Sequence, residues 1–576
     1  MSIKQIFLKK EMNSLLAICV FAAVGAVLVY RAFHGIDTTD ETFYFATAKR
    51  FCDGDMLFKD DWNRGQVYGL LMVPFYRAYV FFNGSNEGII LFARLLFIFL
   101  SLAIAYFLYV LLIEYNVSRA ASLVISLCEL VYARGNIITM SYYSLGFLTF
   151  LLTILCWMMA ERRQRDWYRI IAGVNFSVSV LCMPYMVIIF GIMWVYAGYK
   201  YLKGYKAYVE KAWRMTLGCV ASAVTFLIYY FQMIPWSKLL EYVFVVFSDP
   251  GMEKEGPLFQ YWDLLVYMVS VFFKYTWPIY FMTFIMSVLI GKKIIKSTGL
   301  KKWMIGILLL EFIIQAVYVR GYFEGGIIAV FFLFIFQLQL LYPEYRLKEL
   351  EQYFLVPGVF FAAVWVVGSN VGQRVVNMGF LLIDIWGISL LWYIVSKERI
   401  YKYMLAPAYI MLGTLVLIRC FDIYRDGALG KLTYQVSEGI MKGIYTEPER
   451  GKAYESAVEL LRNNTKEGDI IAVLGCNPWG YLETSASCGA YTTWQFSDGE
   501  TRLIQYYETF PEKVPNVILV PGDAVNTYEY WKYSSHGVGM YEGEHLELYG
   551  ILSQIVEEGK FEKLDAGGTV LYKSVE

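Results

Sequence analysis

The chain has 576 residues, of which 58% are hydrophobic, 18% aromatic and only 17% charged, whereas roughly a quarter of the residues in an ordinary soluble domain are charged. This composition is typical of a polytopic membrane protein and excludes an ordinary soluble enzyme. Lys and Arg together number 50, as do Asp and Glu, and without a basic domain the chain is not expected to bind nucleic acid.

The first predicted element is an apolar run at residues 15–30, preceded by Lys4, Lys9 and Lys10. No small-residue cleavage site lies at a suitable distance before the polar loop that follows. The run therefore predicts a retained first span rather than a cleaved signal peptide. The lysines place the N-terminus on the cytoplasmic side.

The polar stretch after this span, residues 37–65, contains six Asp and one Glu in 29 residues. Carboxylates at the bilayer surface can stay hydrated while they face a lipid-borne substrate. We therefore expect the active site in a first outer loop that covers residues 34–87. Within this loop residues 67–82 are apolar, and we interpret them as a buried or interfacial helix, because one more span would place the basic residues near 162–165 outside.

Thirteen apolar runs come near the ~20 residues that cross a bilayer. They lie at residues 13–33, 88–114, 119–134, 138–160, 170–184, 185–199, 215–233, 262–291, 303–319, 326–342, 353–368, 375–395 and 404–420. A hinge near Pro184 separates the fifth run from the sixth. With the N-terminus inside, the basic or highly charged loops all fall on the cytoplasmic side, as Lys and Arg prefer, and the acidic loop falls outside.

Residues 421–576 are more polar and form a separate predicted domain. One helix-like and three strand-like patterns lie at 450–461, 469–474, 514–520 and 569–573. A length of about 150 residues is usual for one domain, so we expect a soluble α/β domain after a polytopic domain at residues 1–420. Thirteen spans place it outside, where Cys476 and Cys488 could form a disulfide.

The first outer loop carries a family resemblance. It opens with Asp40-Glu41-Thr42-Phe43-Tyr44 and continues with A-x-R-x-x-x-G-D from Ala48 to Asp55. Behind an inside N-terminus and a first span, this loop resembles the GT-C superfamily of membrane glycosyltransferases, in particular the aminoarabinose and protein O-mannosyl transferases and their bacterial relatives. By motif the resemblance covers only this loop, whereas by architecture it covers most of the chain. It implies an all-α polytopic domain with about thirteen transmembrane helices and an extracytoplasmic α/β domain.

The resemblance also implies an activity. These enzymes take a sugar from a polyprenyl-phosphate carrier and use an acid of the first outer loop as general base on the acceptor hydroxyl. The matching position is Asp40, with Glu41 beside it. Inversion at the anomeric carbon requires the base to lie opposite the leaving phosphate. The alternative interpretation is that the two acids merely begin a helix, where they favour the helix dipole.

Substrate contacts are predicted on several outer loops. The E-K-P-P run of the aminoarabinose transferases is absent, and Arg64 could replace its lysine as a bidentate phosphate contact. We also expect a substrate contact from Tyr44 of the opening motif. Further candidates are Arg320 and Arg374 for phosphate and Asn370 and Glu324 for sugar. For each of them, loop capping or lipid headgroup contact is the alternative.

The acids of the loop also suggest a metal site as a hypothesis. Asp37 and Asp40 could share Mg²⁺ or Mn²⁺ through carboxylate oxygens, although two acids three residues apart are also common at a helix start. Asp53-Gly54-Asp55 is formally a D-x-D pattern, and we interpret it as a turn. The nine cysteines form no CxxC or Cys/His cluster, so a structural zinc site is not expected.

Two other classes of function stay open. A transporter or flippase of lipid-linked glycans would carry charge at mid-bilayer, and here Glu129 and Glu311 are exceptions among mostly uncharged spans. A non-catalytic envelope assembly protein would tolerate loss of the loop acids. In each case we expect a multi-pass protein of a cell membrane, bacterial by its resemblance, with a glycan, lipid or protein partner.

Overall fold

The computed structural model is mostly helical and has a small C-terminal sheet region. It describes residues 3–63, 67–232, 234–247, 261–263, 265–266, 277–318, 325–368, 372–398, 402–494, 499–525, 539–542, 545–548 and 550–575. Before the C-terminal region the helices are α1 Ile3–Ala32, α2 Asp40–Cys52, α3 Gly69–Asn83, α4 Ile89–Glu114, α5 Arg119–Val131, α6 Tyr142–Arg163, α7 Trp167–Cys182, α8 Val187–Leu202, α9 Ala207–Phe231, α10 Trp236–Phe247, α11 Trp277–Gly291, α12 Thr298–Tyr318, α13 Gly326–Leu341, α14 Lys348–Gly368, α15 Gly372–Glu398 and α16 Ala406–Phe421.

A multi-pass membrane domain is confirmed in its coarse form. Among the described residues eight helices are long and apolar enough to cross a membrane, and α7, α11 and α13 are shorter apolar helices. The two remaining predicted runs coincide with α5 and α12, so each of the thirteen runs coincides at least in part with a helix. The exact number of spans stays a prediction, and α10 is a helix that the apolar runs did not predict.

Local sequence explains several helix ends. At the start of α6, Ser141 Oγ accepts from the Ser144 backbone N at 3.0 Å and Ser144 Oγ accepts from the Ser141 backbone N at 2.9 Å, which is a capping box. The predicted hinge between α7 and α8 is confirmed: α7 ends at Cys182, and a short 3₁₀ turn begins at Pro184. Residues 67–82 form most of α3, which packs on α2.

The two ends of the helical bundle carry different charges. At one end, Arg163 pairs with Glu114 at 2.5 Å and Lys211 pairs with Glu161 at 2.8 Å. Helix α4 runs from this end to Arg94 near its other terminus, and Arg94 pairs with Glu41 of the acidic loop. Because 26 residues of helix extend for about 39 Å, the basic loops and the acidic loop lie at opposite ends.

The carboxyl ends of α1 and α16 lie side by side. Arg31 near the end of α1 donates from Nη2 to the carbonyl of Asp422, just after α16, at 3.0 Å. One helix leads into the acidic loop and the other into the C-terminal region, so both emerge at the same end of the bundle. If both helices cross the membrane, the total number of passes is therefore odd.

The C-terminal region is built around a mixed sheet. Its helices are α17 Pro448–Asn464, α18 Trp479–Leu482, α19 Gly499–Thr509 and α20 Gly550–Glu558, and its strands are β1 Tyr434–Gln435, β2 Tyr445–Thr446, β3 Ile470–Val473, β4 Ser487–Cys488, β5 Val517–Val520, β6 Gly539–Glu542, β7 His545–Leu548, β8 Phe561–Ala566 and β9 Thr569–Ser574. The main sheet has the order β4-β3-β5-β9-β8. Strand β3 is parallel to β4 and β5, with Ala472 opposite Ile518, while β9 runs antiparallel to β5. The predicted helix and three strands correspond to α17, β3, β5 and β9.

The carboxyl ends of the three parallel strands face the acidic loop. After β4, the carbonyl of Tyr491 accepts from the Trp62 backbone N at 2.9 Å. After β5, the carbonyl of Val525 accepts from Thr38 Oγ1 at 3.0 Å. After β3, helix α18 packs on α2. The first outer loop and the C-terminal region therefore form one packed unit.

This geometry predicts the result of a topology experiment. Reporters fused after Tyr44 and after Glu576 should report one side of the membrane, and reporters fused after Arg165, Lys296 and Lys397 should report the other. The reason is that the loop and the C-terminal region are packed together, whereas the basic loops lie at the far end. Activity of complementary reporters, such as a phosphatase and a fluorescent protein, measures this. The same side for Lys397 and Glu576 would show that α16 does not cross the membrane and would contradict this arrangement.

Candidate functional site

Asp37 fixes the start of α2. Its Oδ1 accepts from the Thr39 backbone N at 3.0 Å and its Oδ2 from the Glu41 backbone N at 2.9 Å, so the buried carboxylate satisfies free N–H groups at the helix terminus. Burial raises the pKa of Asp37, and Arg425 opposes that rise. For Asp37, the interpretation as an acid at a helix start is confirmed.

Asp40, the predicted base, lies at the junction between the loop and the C-terminal region. The Tyr424 hydroxyl donates to Asp40 Oδ2, and Arg425 Nη2 lies 3.1 Å from the same oxygen. The Arg425 guanidinium also donates to Thr39 Oγ1 and lies 3.8 Å from Asp37 Oδ1. The side chains of Asp40 and Arg425 are both 17% exposed, so Asp40 is within reach of a ligand.

The backbone of Arg425 is unusual. Its φ of 55° lies in the left-handed region, which few residues other than glycine adopt. The conformation is held by Arg450, whose Nη1 donates to the Arg425 carbonyl at 3.0 Å. Burial would lower the pKa of Arg425, but Asp40 and Asp37 raise it above its ordinary value. Strained residues of this kind cluster at functional sites.

Glu41 has a different environment from Asp40. It is 3% exposed, and Arg94 holds both of its oxygens, with Nε donating to Oε1 at 3.0 Å and Nη2 to Oε2. The same guanidinium donates to the carbonyls of Ala32 and Gly35, each at 2.7 Å. Burial raises the pKa of Glu41 and Arg94 opposes it. In this arrangement Glu41 ties α2 to α1 and α4.

A metal ion at Asp37 and Asp40 would compete with a cationic side chain that already lies there. The guanidinium of Arg425 lies near both carboxylates and already supplies positive charge there. A divalent ion would have to displace it. Across the described ranges no group of three or more His, Cys, Asp and Glu side chains is arranged to hold a metal.

Other acids of the loop form ion pairs within the loop and with the C-terminal region. Asp53 pairs with Lys49 at 2.6 Å, and Asp55 pairs with Arg50 at 2.8 Å and with Lys513 of the C-terminal region at 2.6 Å. Gly54 has a φ of 109° within a turn, which confirms the turn interpretation of the D-x-D pattern. The expectation that the loop acids are broadly hydrated is wrong for Asp60 and Asp61, which are 4% and 0% exposed.

A layer of tyrosines lies next to Asp40 on the side of the helical bundle. Tyr44, one turn after Asp40, is fully buried, with its ring 5.2 Å from Tyr68 and 6.2 Å from Tyr142. The ring centres of Tyr142 and Tyr143 lie 4.0 Å apart with the rings tilted, and the Arg134 guanidinium lies 4.3 Å from the Tyr143 ring centre. We call these four tyrosines the tyrosine layer.

Two hydroxyls of the tyrosine layer lack a partner. Within the described part of the chain, the buried hydroxyls of Tyr44 and Tyr68 form no hydrogen bond. Buried polar groups without a partner are rare, so these hydroxyls mark a place where water or a polar ligand atom would bind. Burial raises the pKa of Tyr44 well above its ordinary value, which keeps the hydroxyl a donor.

Most of the predicted substrate contacts lie in segments outside the described residues. Arg64, Arg320, Glu324 and Asn370 lie outside the described residues, and of Arg374 only the backbone, in the first turn of α15, is described. Cys476 and Cys488 are free and buried, so the disulfide is not formed. No local pattern indicates Tyr424 and Arg425 as site residues, apart from a charged segment directly after the last span.

No protein-family model matches the chain, and no curated protein matches it in sequence.

The buried loop acids predict a pH dependence of stability. Burial raises the pKa of Asp61 from 3.8 to about 7, against the opposing charge of Arg50. Between about pH 4 and pH 7 the folded chain then holds a proton that the unfolded chain has lost, so the free energy of unfolding falls as pH rises through this range. Asp61→Asn stays neutral, so its free energy of unfolding should decrease less over this pH range. At pH 8 it should be more stable than wild type by a few kcal/mol, on the order of the pKa shift.

Thermal unfolding of the two proteins in detergent at pH 5 and pH 8 measures this difference. Asp565→Asn is the matched control, because it makes the same substitution at an exposed carboxylate on β8. An unchanged difference between pH 5 and pH 8 in Asp61→Asn would contradict the assignment.

Proposed function

We propose that the chain is an inverting glycosyltransferase that moves a sugar from a polyprenyl-phosphate carrier to a hydroxyl of an extracytoplasmic glycan, lipid or protein. The observation that carries the proposal is the position of Asp40. It lies partly exposed between the tyrosine layer on the side of the helical bundle and the C-terminal region on the other side. This is where a lipid-borne donor and a water-borne acceptor would meet.

The chemistry needs a base and a route for the leaving group. Asp40 takes the proton of the acceptor hydroxyl as that oxygen forms its bond to the anomeric carbon, and the bond from that carbon to the carrier phosphate breaks on the opposite face. The products are the glycoside, the polyprenyl phosphate and a protonated Asp40. Tyr424 and Arg425 orient the base through Oδ2.

The charge distribution supports a lipid donor. The basic loops lie at the end of the bundle away from Asp40, and short loops rich in Lys and Arg are cytoplasmic as a rule. Asp40 then faces the extracytoplasmic side, where nucleotide sugars are ordinarily absent. The basic loops also contain no Gly-rich phosphate cradle. A sugar therefore has to arrive on a lipid.

A second candidate function rests on carboxyls inside the bundle. Glu129 on α5 and Asp384 on α15 are buried, and none of their carboxyl oxygens has a hydrogen-bond partner among the described residues. Glu311 on α12 accepts from Thr283 at 2.9 Å. Ionisable groups within spans often mark transport pathways, so a flippase of lipid-linked glycans is the alternative.

The base assignment predicts the effect of one substitution. Asp40→Asn keeps the shape of the side chain but removes its basicity, so sugar transfer should fall by roughly 10²-fold or more while the protein still folds. Product formation by mass spectrometry measures transfer, and Asp53→Asn, in the same loop, should stay active. Glu41→Gln should act mainly on thermal stability, because it disturbs a buried ion pair. Full transfer activity of Asp40→Asn would refute Asp40 as the general base.

The donor assignment has its own test. Matched polyprenyl-phosphate and nucleotide sugars are compared with purified protein in nanodiscs, and only the lipid donor should support transfer. At least one of Arg64→Ala, Arg320→Ala and Arg374→Ala should weaken donor binding by about 1.5–3 kcal/mol through loss of a charge-assisted phosphate contact. Activity with the nucleotide sugar alone would refute the lipid donor, and donor binding that is indifferent to all three changes would remove the arginines from this role.

A further inference from the structure

The carboxylate of Asp426 joins four segments of the chain at one point. Its side chain is fully buried, and Oδ2 accepts from the Ile36 backbone N and from Thr446 Oγ1, each at 2.7 Å. Oδ1 accepts from the Gly427 backbone N at 2.7 Å and from Arg450 Nη1 at 2.8 Å. A buried carboxylate with four donors is fully satisfied. Asp426 therefore connects the start of the first outer loop, the segment after α16, strand β2 and helix α17.

Arg450 extends this connection to Arg425. The Nη1 atom that pairs with Asp426 also donates to the Arg425 carbonyl at 3.0 Å. A residue other than glycine keeps a left-handed backbone only where its surroundings hold it, and Arg425 has a φ of 55°. In that conformation the Arg425 guanidinium lies 3.1 Å from Asp40 Oδ2. Arg450 therefore influences Asp40 through the backbone of Arg425.

The start of the loop packs tightly on the same segment. The Gly35 backbone N donates to the Tyr445 carbonyl, and the Tyr445 backbone N donates to the Phe33 carbonyl, both at 2.7 Å. Gly35 has a φ of 83°, and a Cβ there would lie 2.4 Å from the Ile423 side chain. Because no space for a side chain separates Gly35 from Ile423, a shift of the segment after α16 is transmitted to the loop that carries Asp40.

We propose that Asp426 and Arg450 form a positioning pair, which holds the Arg425 guanidinium against Asp40 only while β2 and α17 are docked on the loop. The inference rests on the proposed function, since it describes how the C-terminal region controls the base. Neither member of the pair touches the reacting atoms in this account. A pair with a purely structural role would stabilise the docked region and leave the environment of Asp40 unchanged once the protein is folded.

The same helix provides a matched control. Arg462 on α17 pairs with the fully buried carboxylate of Glu483 at 3.2 Å, and Glu483 also accepts from the Ile440 backbone N at 2.6 Å and from the Tyr454 hydroxyl. Arg450→Gln and Arg462→Gln thus each remove the cation from a buried carboxylate that keeps neutral donors. Of the two arginines, Arg450 is the one that donates to Arg425. Thermal unfolding shows whether each variant folds.

The first measurement is independent of sugar transfer. The full-length protein in nanodiscs is treated with a water-soluble carbodiimide and glycine methyl ester, and labelling of Asp40 is followed by mass spectrometry. A carboxyl that loses an opposite charge takes up its proton at higher pH and reacts faster, so we expect Arg450→Gln to label about threefold faster or more at Asp40. Arg462→Gln should label at the wild-type rate. Arg450→Lys should restore slow labelling, because one lysine nitrogen can supply both contacts of Nη1.

The second measurement is the pH profile of kcat/KM for transfer from a lipid donor. The titratable groups around Asp40 include Asp37, Tyr424 and Cys476, and the guanidinium in contact with Asp40 is that of Arg425. Loss of this cation should move the acid limb of the profile in Arg450→Gln to higher pH by about half a unit or more. A structural defect would lower the whole profile without moving it, which is the result expected for Arg462→Gln.

Three results overturn the positioning pair. They are wild-type labelling of Asp40 in folded Arg450→Gln, equal labelling in the two Gln variants, and an acid limb that does not move in an active Arg450→Gln protein. Each of them leaves the transferase proposal intact. Faster labelling of Asp40 in Arg450→Gln alone, in a protein that transfers no sugar from any lipid donor, supports the pair and counts against the transferase proposal.

Discussion

One buried guanidinium determines where Asp40 lies. Arg94 holds both oxygens of Glu41 and donates to the carbonyls of Ala32 and Gly35, so it joins the end of α1, the start of α2 and the body of α4. Removing one partner of a buried ion pair usually costs about 3–5 kcal/mol. Because Asp40 precedes Glu41 directly, this contact sets the position of Asp40 together with Asp37, which fixes the start of α2. The two neighbouring acids therefore have different roles: Glu41 holds the helix in place, and Asp40 faces the space beside it.

Local patterns in the sequence predicted much of the fold, but they did not predict contacts between residues far apart in the chain. Apolar runs predicted the membrane helices because a span must bury its backbone within one segment, and Asp37 was recognisable as a residue at a helix start. The pairing of Asp40 with Tyr424 spans 384 positions, and no local pattern reports such a contact. For the same reason, the acid-rich composition suggested hydrated carboxylates, whereas Asp55 finds Lys513 and Asp61 is buried beside Arg50.

The C-terminal region belongs to the candidate site and does not merely follow it. Its strand ends contact the loop at Thr38, Trp62 and Thr47, and its first residues supply Tyr424 and Arg425. A soluble domain attached through a flexible linker would leave a site on the membrane surface open on one side. Here the linker itself contributes two side chains, so any movement of the domain would also move the partners of Asp40.

The distance along the chain between the two halves of this unit also has a consequence for biosynthesis. Asn63 meets Thr492 across 429 residues, and synthesis at roughly 5–20 residues per second separates their appearance by about 20–90 s. During that interval the loop stands at the membrane surface without the region that later covers it. Its carboxylates then lack their later partners in the C-terminal region, and like charges on a segment with many aromatic residues oppose association with neighbouring chains. The acids that later become buried would act first as a solubility device of the nascent protein.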